Sequence, residues 1–164
     1  MAVNWVLPVR GVQAVLSIVV LGLMSYVASW WSSHWRQMSP HEVNFIVFSS
    51  VWSILSLGAL LVLPWKLPRV AESGLVRVLL VGVEGLATLF WLSSFIALAV
   101  FLSDRICFGT VCSVAKAGTA LSAFEFVVWA VTAVVAVLNL VRGGRGVGSG
   151  SGKGEPKVEM HQGV

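Results

Sequence analysis

Long apolar stretches alternate with short polar segments along most of this chain. Four of the stretches are each long enough to cross roughly 30 Å of hydrocarbon as a helix that rises about 1.5 Å per residue. No alternation of apolar and polar positions with a period of two competes with this pattern, so helices are predicted rather than a β-barrel. The predicted helices occupy residues 9–31, 43–64, 75–102 and 111–141.

Prolines mark the expected limits of the second helix. Ser39-Pro40 precedes its first turn, which contains Glu42. Pro64 and Pro68 follow its last apolar residues, and proline cannot continue the helical hydrogen-bond pattern. We therefore end this helix at residue 64.

Composition supports the same interpretation. Hydrophobic residues make up 57% of the 164 residues and charged residues only 11%, whereas soluble domains carry about 25% charged residues. A chain with so few charges cannot cover a water-soluble core, so the predicted fold class is all-α, an integral membrane four-helix transmembrane bundle. The net charge of +4 does not indicate nucleic-acid binding, because the basic residues lie in short loops and a tail.

The chain divides into three predicted segments. Residues 1–8 form a short N-terminal arm, residues 9–141 form the four-helix domain, and residues 142–164 form a Gly/Ser-rich, basic tail. The first helix is not expected to be a cleaved signal peptide, since its apolar run is too long and large residues follow it. The tail has too little apolar surface to fold and is predicted to be disordered, either solvated or touching anionic lipid.

Basic residues predict the orientation in the membrane. Eight of the 11 Lys and Arg residues fall at the start of the first helix, around the second loop or in the tail, and three fall around the first and third loops. Loops on the cytoplasmic side carry an excess of Lys and Arg. Both termini are therefore predicted to be cytoplasmic.

Two cysteines, Cys107 and Cys112, lie in the third loop, on the side predicted to be outside the cytoplasm. Five positions apart in an oxidising compartment, they can close a small disulfide ring, although two free thiols are the alternative. Their spacing is not that of a zinc site, and His34 and His41 are better explained as solvated loop residues. No catalytic, metal or cofactor motif is found, and no cofactor is expected.

Two glutamates inside predicted helices are the most informative residues. Glu84 lies about two turns into the third helix and Glu125 near the middle of the fourth. A carboxylate facing lipid costs several kcal/mol, so each should face the bundle interior. By depth, Glu84 is expected to bond to Gln13 or Ser17 of the first helix.

Small and polar residues line one face of the fourth helix, and a similar face on the third helix carries Thr88 with Glu84. Small side chains let membrane helices approach closely, while hydroxyls and amides bond between them. We expect this face to point into the bundle, with Gly118 and Ala136 as helix-packing positions. The face comprises Gly118, Ser122, Glu125, Trp129, Thr132, Ala136 and Asn139.

Two functional hypotheses follow from the buried glutamates. In the first, the polar residues only hold the helices together. In the second, Glu84 and Glu125 form a proton or cation pathway in a small channel or proton-coupled carrier. Glutamates at different depths, without a helix broken by Gly or Pro, fit a transport site poorly. An intramembrane enzyme is a third and weaker hypothesis.

The sequence also resembles the MARVEL-domain tetraspan proteins, especially their small fungal members, over roughly residues 8–142. Glu84 stands where that family more often has Asp. The resemblance implies a non-enzymatic protein that associates with lipid and with other membrane proteins, and it leaves open whether the chain also forms a homo-oligomer. It also implies a role in plasma-membrane domains or vesicle trafficking and placement in the plasma membrane or secretory-pathway vesicles. The matching segments are Arg10-Gly-Val-Gln13, the Phe45, Phe48 and Trp52 spacing, Phe90-Trp91, Lys116-Ala117 and Ala123-Phe124-Glu125-Phe126.

Overall fold

Four α-helices account for most of the chain that the computed structural model describes, which is residues 6–35, 39–67, 73–103 and 109–147. All four are long and apolar enough to cross a membrane. No strand occurs within these ranges, so the prediction of an all-α transmembrane bundle is confirmed. The helices are α1 (Val6–Trp35), α2 (His41–Lys66), α3 (Gly74–Ser103) and α4 (Thr110–Val147).

Two helices extend past their predicted ends. α2 continues beyond Pro64 to Lys66, and the Leu67 N–H donates to the Leu63 carbonyl oxygen at 2.9 Å. Proline has no backbone N–H, so one helical hydrogen bond is missing at residue 64. The N–H groups of the residues that follow can still donate to carbonyl oxygens of the preceding turn. α4 continues to Val147, across residues 142–147 that were assigned to the tail. Glycine costs about 1 kcal/mol per residue in a helix without blocking its hydrogen bonds. The remainder of the predicted tail, 148–164, and most of the predicted arm lie outside the described residues.

The helices form a four-membered ring in cross-section. α1 packs against α2 and α4, and α3 packs against the same two helices, so α1 and α3 face each other across the diagonal. Short connections make successive helices antiparallel. We call the end at which α1 begins and α4 ends the proximal end, and the opposite end the distal end.

The outer surface of the bundle is strongly apolar. In each helix, at most 33% of the 18 consecutive residues with the highest hydropathy are buried inside the bundle. Large side chains such as Leu55, Leu75 and Val134 are more than half exposed. Contiguous apolar surface of this extent marks contact with lipid or with another protein. With four spans, the chain is a multi-pass membrane protein.

The interior differs between the two ends. Between α1 and α4 the distal half is filled mainly by apolar side chains, and most buried polar groups of these two helices lie in the proximal half. On the side of α2 and α3, the distal half also contains the buried serines Ser49, Ser53 and Ser94. In the distal half, α1 and α4 approach closely, because Gly118 has no side chain. A Cβ atom at Gly118 would lie 2.0 Å from the Met24 Cε atom. The distal apolar residues include Val20, Met24, Val27, Val43, Ile46, Leu98 and Ala115.

Candidate functional site

A buried ion pair joins α1 and α3 across the diagonal of the bundle. The Arg10 Nη2 atom lies 2.5 Å from the Glu84 Oε1 atom, and the two residues are 7% and 2% exposed. Arg10 lies in the second turn of α1, whereas Glu84 lies ten residues into α3, roughly 15 Å along that helix. The long arginine side chain spans this difference in depth, and its charge satisfies a carboxylate that would otherwise be costly in the membrane.

Arg10 also connects the ion pair to α4. Its Nη1 atom donates to Gln13 Oε1 at 3.1 Å, and Gln13 Nε2 donates to Thr132 Oγ1 at 3.3 Å. The guanidinium carbon lies 5.6 Å from the centre of the Trp129 ring, within the range of a cation–π interaction. Three of the four helices are therefore held together by one arginine and its neighbours.

Glu125 forms a second polar contact, closer to the middle of the bundle. Ser17 Oγ donates to Glu125 Oε1 at 2.7 Å, which joins α1 to α4. Among the described residues, the buried side-chain atoms that lack a hydrogen-bond partner of ordinary geometry are Trp52 Nε1, Glu125 Oε2 and Trp129 Nε1. Ser122 is fully buried on the same face, but its hydroxyl donates to the Gly118 carbonyl oxygen of its own helix.

A third set of polar contacts joins α2 and α3. Ser49 Oγ and Ser94 Oγ lie 2.8 Å apart, and Trp91 Nε1 donates to Ser53 Oγ at 2.8 Å. The sequence places Ser49 and Ser53 four positions apart, on one face of α2, and Ser94 on α3 is the partner that the pattern does not single out. Ser94 follows Trp91 by three positions, and this spacing, which puts both on one face of a helix, was the available signal.

The structure pairs the buried glutamates differently from the expectation. Glu84 was expected to bond to Gln13 or Ser17, but it pairs with Arg10, while Ser17 bonds to Glu125. Estimating depth from residue counts places the Cα atoms at similar levels but ignores the reach of a long side chain. Gln13 is fully buried between these two contacts.

Other predicted interior residues are less enclosed. Thr88 is half-buried and donates to the Glu84 carbonyl oxygen at 2.9 Å, so it does not cross to another helix. Gly118 is buried and Ala136 is half-buried. Asn139 has an exposed side chain, contrary to the prediction that it faces the interior. It lies within one turn of Arg142, where the apolar span of α4 ends.

The exposure of Asn139 follows from a cavity at the proximal end. This cavity of about 290 Å³ lies between α2, α3 and α4, with Leu60, Leu80, Val81, Ala136 and Leu140 as its apolar walls. Its polar lining consists of Arg77, Glu84 and Asn139. A smaller cavity of about 100 Å³ lies between α1 and α4 and also touches Asn139. We call the larger one the proximal cavity.

The cysteine prediction is only partly within the described residues. Cys112 is buried in the first turn of α4, and Cys107 lies outside the described residues. Their disulfide therefore stays a prediction. Across the described ranges, no three His, Cys, Asp or Glu residues come together as metal ligands would.

Comparison with known proteins gave one result. The family model MARVEL, described as a membrane-associating domain, matches residues 4–135. This range covers the proximal polar contacts, the distal apolar half and all but the end of α4. No curated protein and no solved structure matches the chain.

Proposed function

Because the chain belongs to the MARVEL family of membrane-associating domains, we propose that it is a non-enzymatic membrane organiser. In this role it associates with lipid and with other membrane proteins, including copies of itself, in lateral domains of the plasma membrane or in trafficking vesicles. The observation that carries the proposal is the difference between the polar interior contacts of the bundle and its apolar exterior. Its polar groups are largely used inside, between helices, and its broad apolar exterior is left for lipid and membrane partners.

The rival function is a proton or cation pathway through Glu84 and Glu125. Such a pathway needs polar groups or water along the whole thickness of the membrane. In this bundle the buried polar contacts of α1 with α3 and α4 stop at Ser17 and Glu125, and the apolar side chains of Val20 and Met24 follow. Beyond that level, the buried hydroxyls of Ser49, Ser53 and Ser94 between α2 and α3 are bonded to one another or to Trp91. The arginine also neutralises Glu84, which makes that glutamate a poor carrier of cations. These features favour the organiser.

The orientation proposed from the basic residues is consistent with this role. Both termini are cytoplasmic in the proposal, so the proximal end faces the cytoplasm. Lys66, Arg77 and Arg142 have exposed side chains at this end. Cytoplasmic leaflets carry anionic lipid, which attracts such residues.

Imaging tests the proposal directly. A fluorescently tagged copy of the full chain in its native cell should appear in patches or vesicles rather than as uniform membrane label. Photobleaching should show slower recovery inside the patches than for a lipid probe, because partners restrict diffusion. Uniform label with free diffusion would contradict the organiser function.

A flux assay separates the rival. The purified chain in liposomes is expected to conduct neither protons nor cations above the rate of empty liposomes. Flux that Glu125→Gln abolishes, in a variant that still folds, would instead support the pathway.

A further inference from the structure

We propose that the proximal cavity is a binding site for an anionic glycerophospholipid, whose phosphate is held by Arg77 and Asn139 at the mouth. The proposal deepens the organiser function, on which it rests, by naming the lipid class and the site. Three observations carry it, namely the composition of the cavity wall, the depth of its polar groups and the charge at the proximal end.

The lining of the cavity combines exposed polar side chains with apolar ones. Arg77 and Asn139 are exposed and supply a guanidinium and an amide. Apolar side chains from three helices, including Leu60 of α2 and Leu80 of α3, form the remainder of the wall apart from Glu84. A cation and an amide donor above an apolar wall match a phosphate above the glycerol and the first methylene groups of a lipid.

The polar groups lie at the right level for a lipid phosphate. Arg77 is in the first turn of α3, and Asn139 lies within one turn of the end of the apolar span of α4. By the length and composition of the spans, both positions are expected at the boundary between hydrocarbon and headgroups. The cavity volume of about 290 Å³ is at the lower end of ligand sites, which hold about 300–1,000 Å³. It therefore accommodates part of one lipid rather than a whole lipid.

The charge at the site favours an anion. Glu84 lines the cavity, but its carboxylate is paired with Arg10 and contributes no net negative charge together with it. Among the described residues, Arg77 has no carboxylate partner. The site therefore carries one uncompensated positive charge, which a zwitterionic lipid does not neutralise and an anionic one does.

The test measures lipid retention by the full chain. The protein is placed in nanodiscs of phosphatidylcholine with a minority of phosphatidylglycerol, and native mass spectrometry compares bound lipid with the bulk ratio. Phosphatidylglycerol should be enriched on the parent protein. Arg77→Gln should lower this enrichment about fivefold, the effect expected from one basic side chain near anionic lipid.

Two further variants separate the cavity from general surface attraction. Arg142→Gln removes the same charge at the same end but outside the cavity lining, and it should lower the enrichment clearly less than Arg77→Gln does. Ala136→Leu fills the cavity without changing charge and should lower the enrichment. If Ala136→Leu fails to fold, the smaller Ala136→Val takes its place.

Several outcomes would overturn the site. They are no enrichment on the parent, equal losses in Arg77→Gln and Arg142→Gln, or unchanged enrichment when Ala136 is enlarged. Inorganic phosphate is added to the parent in pure phosphatidylcholine nanodiscs as a second probe. Thermal stabilisation there would identify free phosphate, rather than lipid, as the ligand.

The same variants distinguish the site from the function on which it rests. If the tagged parent forms patches in cells but shows no enrichment, only the lipid site is wrong. If the parent forms neither patches nor vesicles, the organiser function fails whether or not phosphatidylglycerol is retained.

Discussion

The contact between Gly118 and Met24 gives the sharpest test of how α1 and α4 pack. A Cβ atom at Gly118 would lie 2.0 Å from Met24 Cε, which is less than any ordinary contact. Gly118→Leu therefore forces either Met24 or the whole of α1 to move. Overpacking costs about 1–3 kcal/mol, and the lower part of this range is expected here because Met24 Cε is the end of a flexible side chain. In lipid no hydrophobic drive between helices offsets this cost.

A matched control separates packing from any effect of leucine itself. Gly82 in α3 is exposed, and a Cβ atom there has nothing within 4 Å. Gly82→Leu makes the same chemical change and should be neutral or slightly stabilising, because leucine favours a helix over glycine. Thermal unfolding of both variants in detergent, followed by tryptophan fluorescence, should lower the midpoint only for Gly118→Leu.

A double variant then identifies the colliding atom. Met24→Ala removes the side chain that Gly118→Leu would strike. The pair should be less destabilised than the sum of the single variants, with a coupling of about 0.5–3 kcal/mol, as contacting residues give. Equal midpoints for Gly118→Leu and Gly82→Leu would refute the close approach. Additive effects of the Met24 and Gly118 changes would refute the assignment of Met24 as the obstacle.

Three further predictions concern charge and sulfur. Arg10→Gln or Glu84→Gln alone should destabilise the bundle by about 3–5 kcal/mol, because each leaves an unpaired buried charge, and the double variant should recover part of the loss of thermal stability. Glu125→Lys should reduce membrane insertion at a cost of about 2.5–3.5 kcal/mol, while Glu125→Gln can keep the bond from Ser17 and should insert normally. An impermeant thiol reagent should label Cys107 on intact cells only after reduction, since Cys112 is buried, and labelling without reduction would contradict the disulfide.

Helix number and membrane class could be predicted from the sequence because they depend on run length and composition. Apolar stretches of twenty or more residues have few alternatives to a spanning helix. The same physics does not define helix ends well. At Pro64 and at residues 142–147, breaker residues indicated an end, but the helical hydrogen bonds continue past both positions.

The partner of Glu84 could not be predicted in the same way. Sequence pattern indicates which residues share a face of one helix, but not which helices lie diagonally opposite. Arg10 was recognised at the proximal end of α1, yet its reach to Glu84 depends on the ring order of the helices. Asn139 illustrates the same limit. It shares a helix face with buried residues of α4, but at its level a cavity separates α4 from α2 and α3, so its side chain is exposed.

The diagonal ion pair also affects the insertion of the helices into the membrane, because its two residues are synthesised at different times. Arg10 is synthesised with the first helix, but its carboxylate partner is two helices later in the chain. Arginine at the membrane boundary can wait at the headgroup level, whereas Glu84 enters deeper and alone would cost about 2.5–3.5 kcal/mol. The apolar residues of α3 outweigh this cost, so α3 can insert alone, but its insertion is easier while α1 is close enough to supply the arginine. The ion pair therefore favours assembly in which the first helix stays near the site at which the third is inserted.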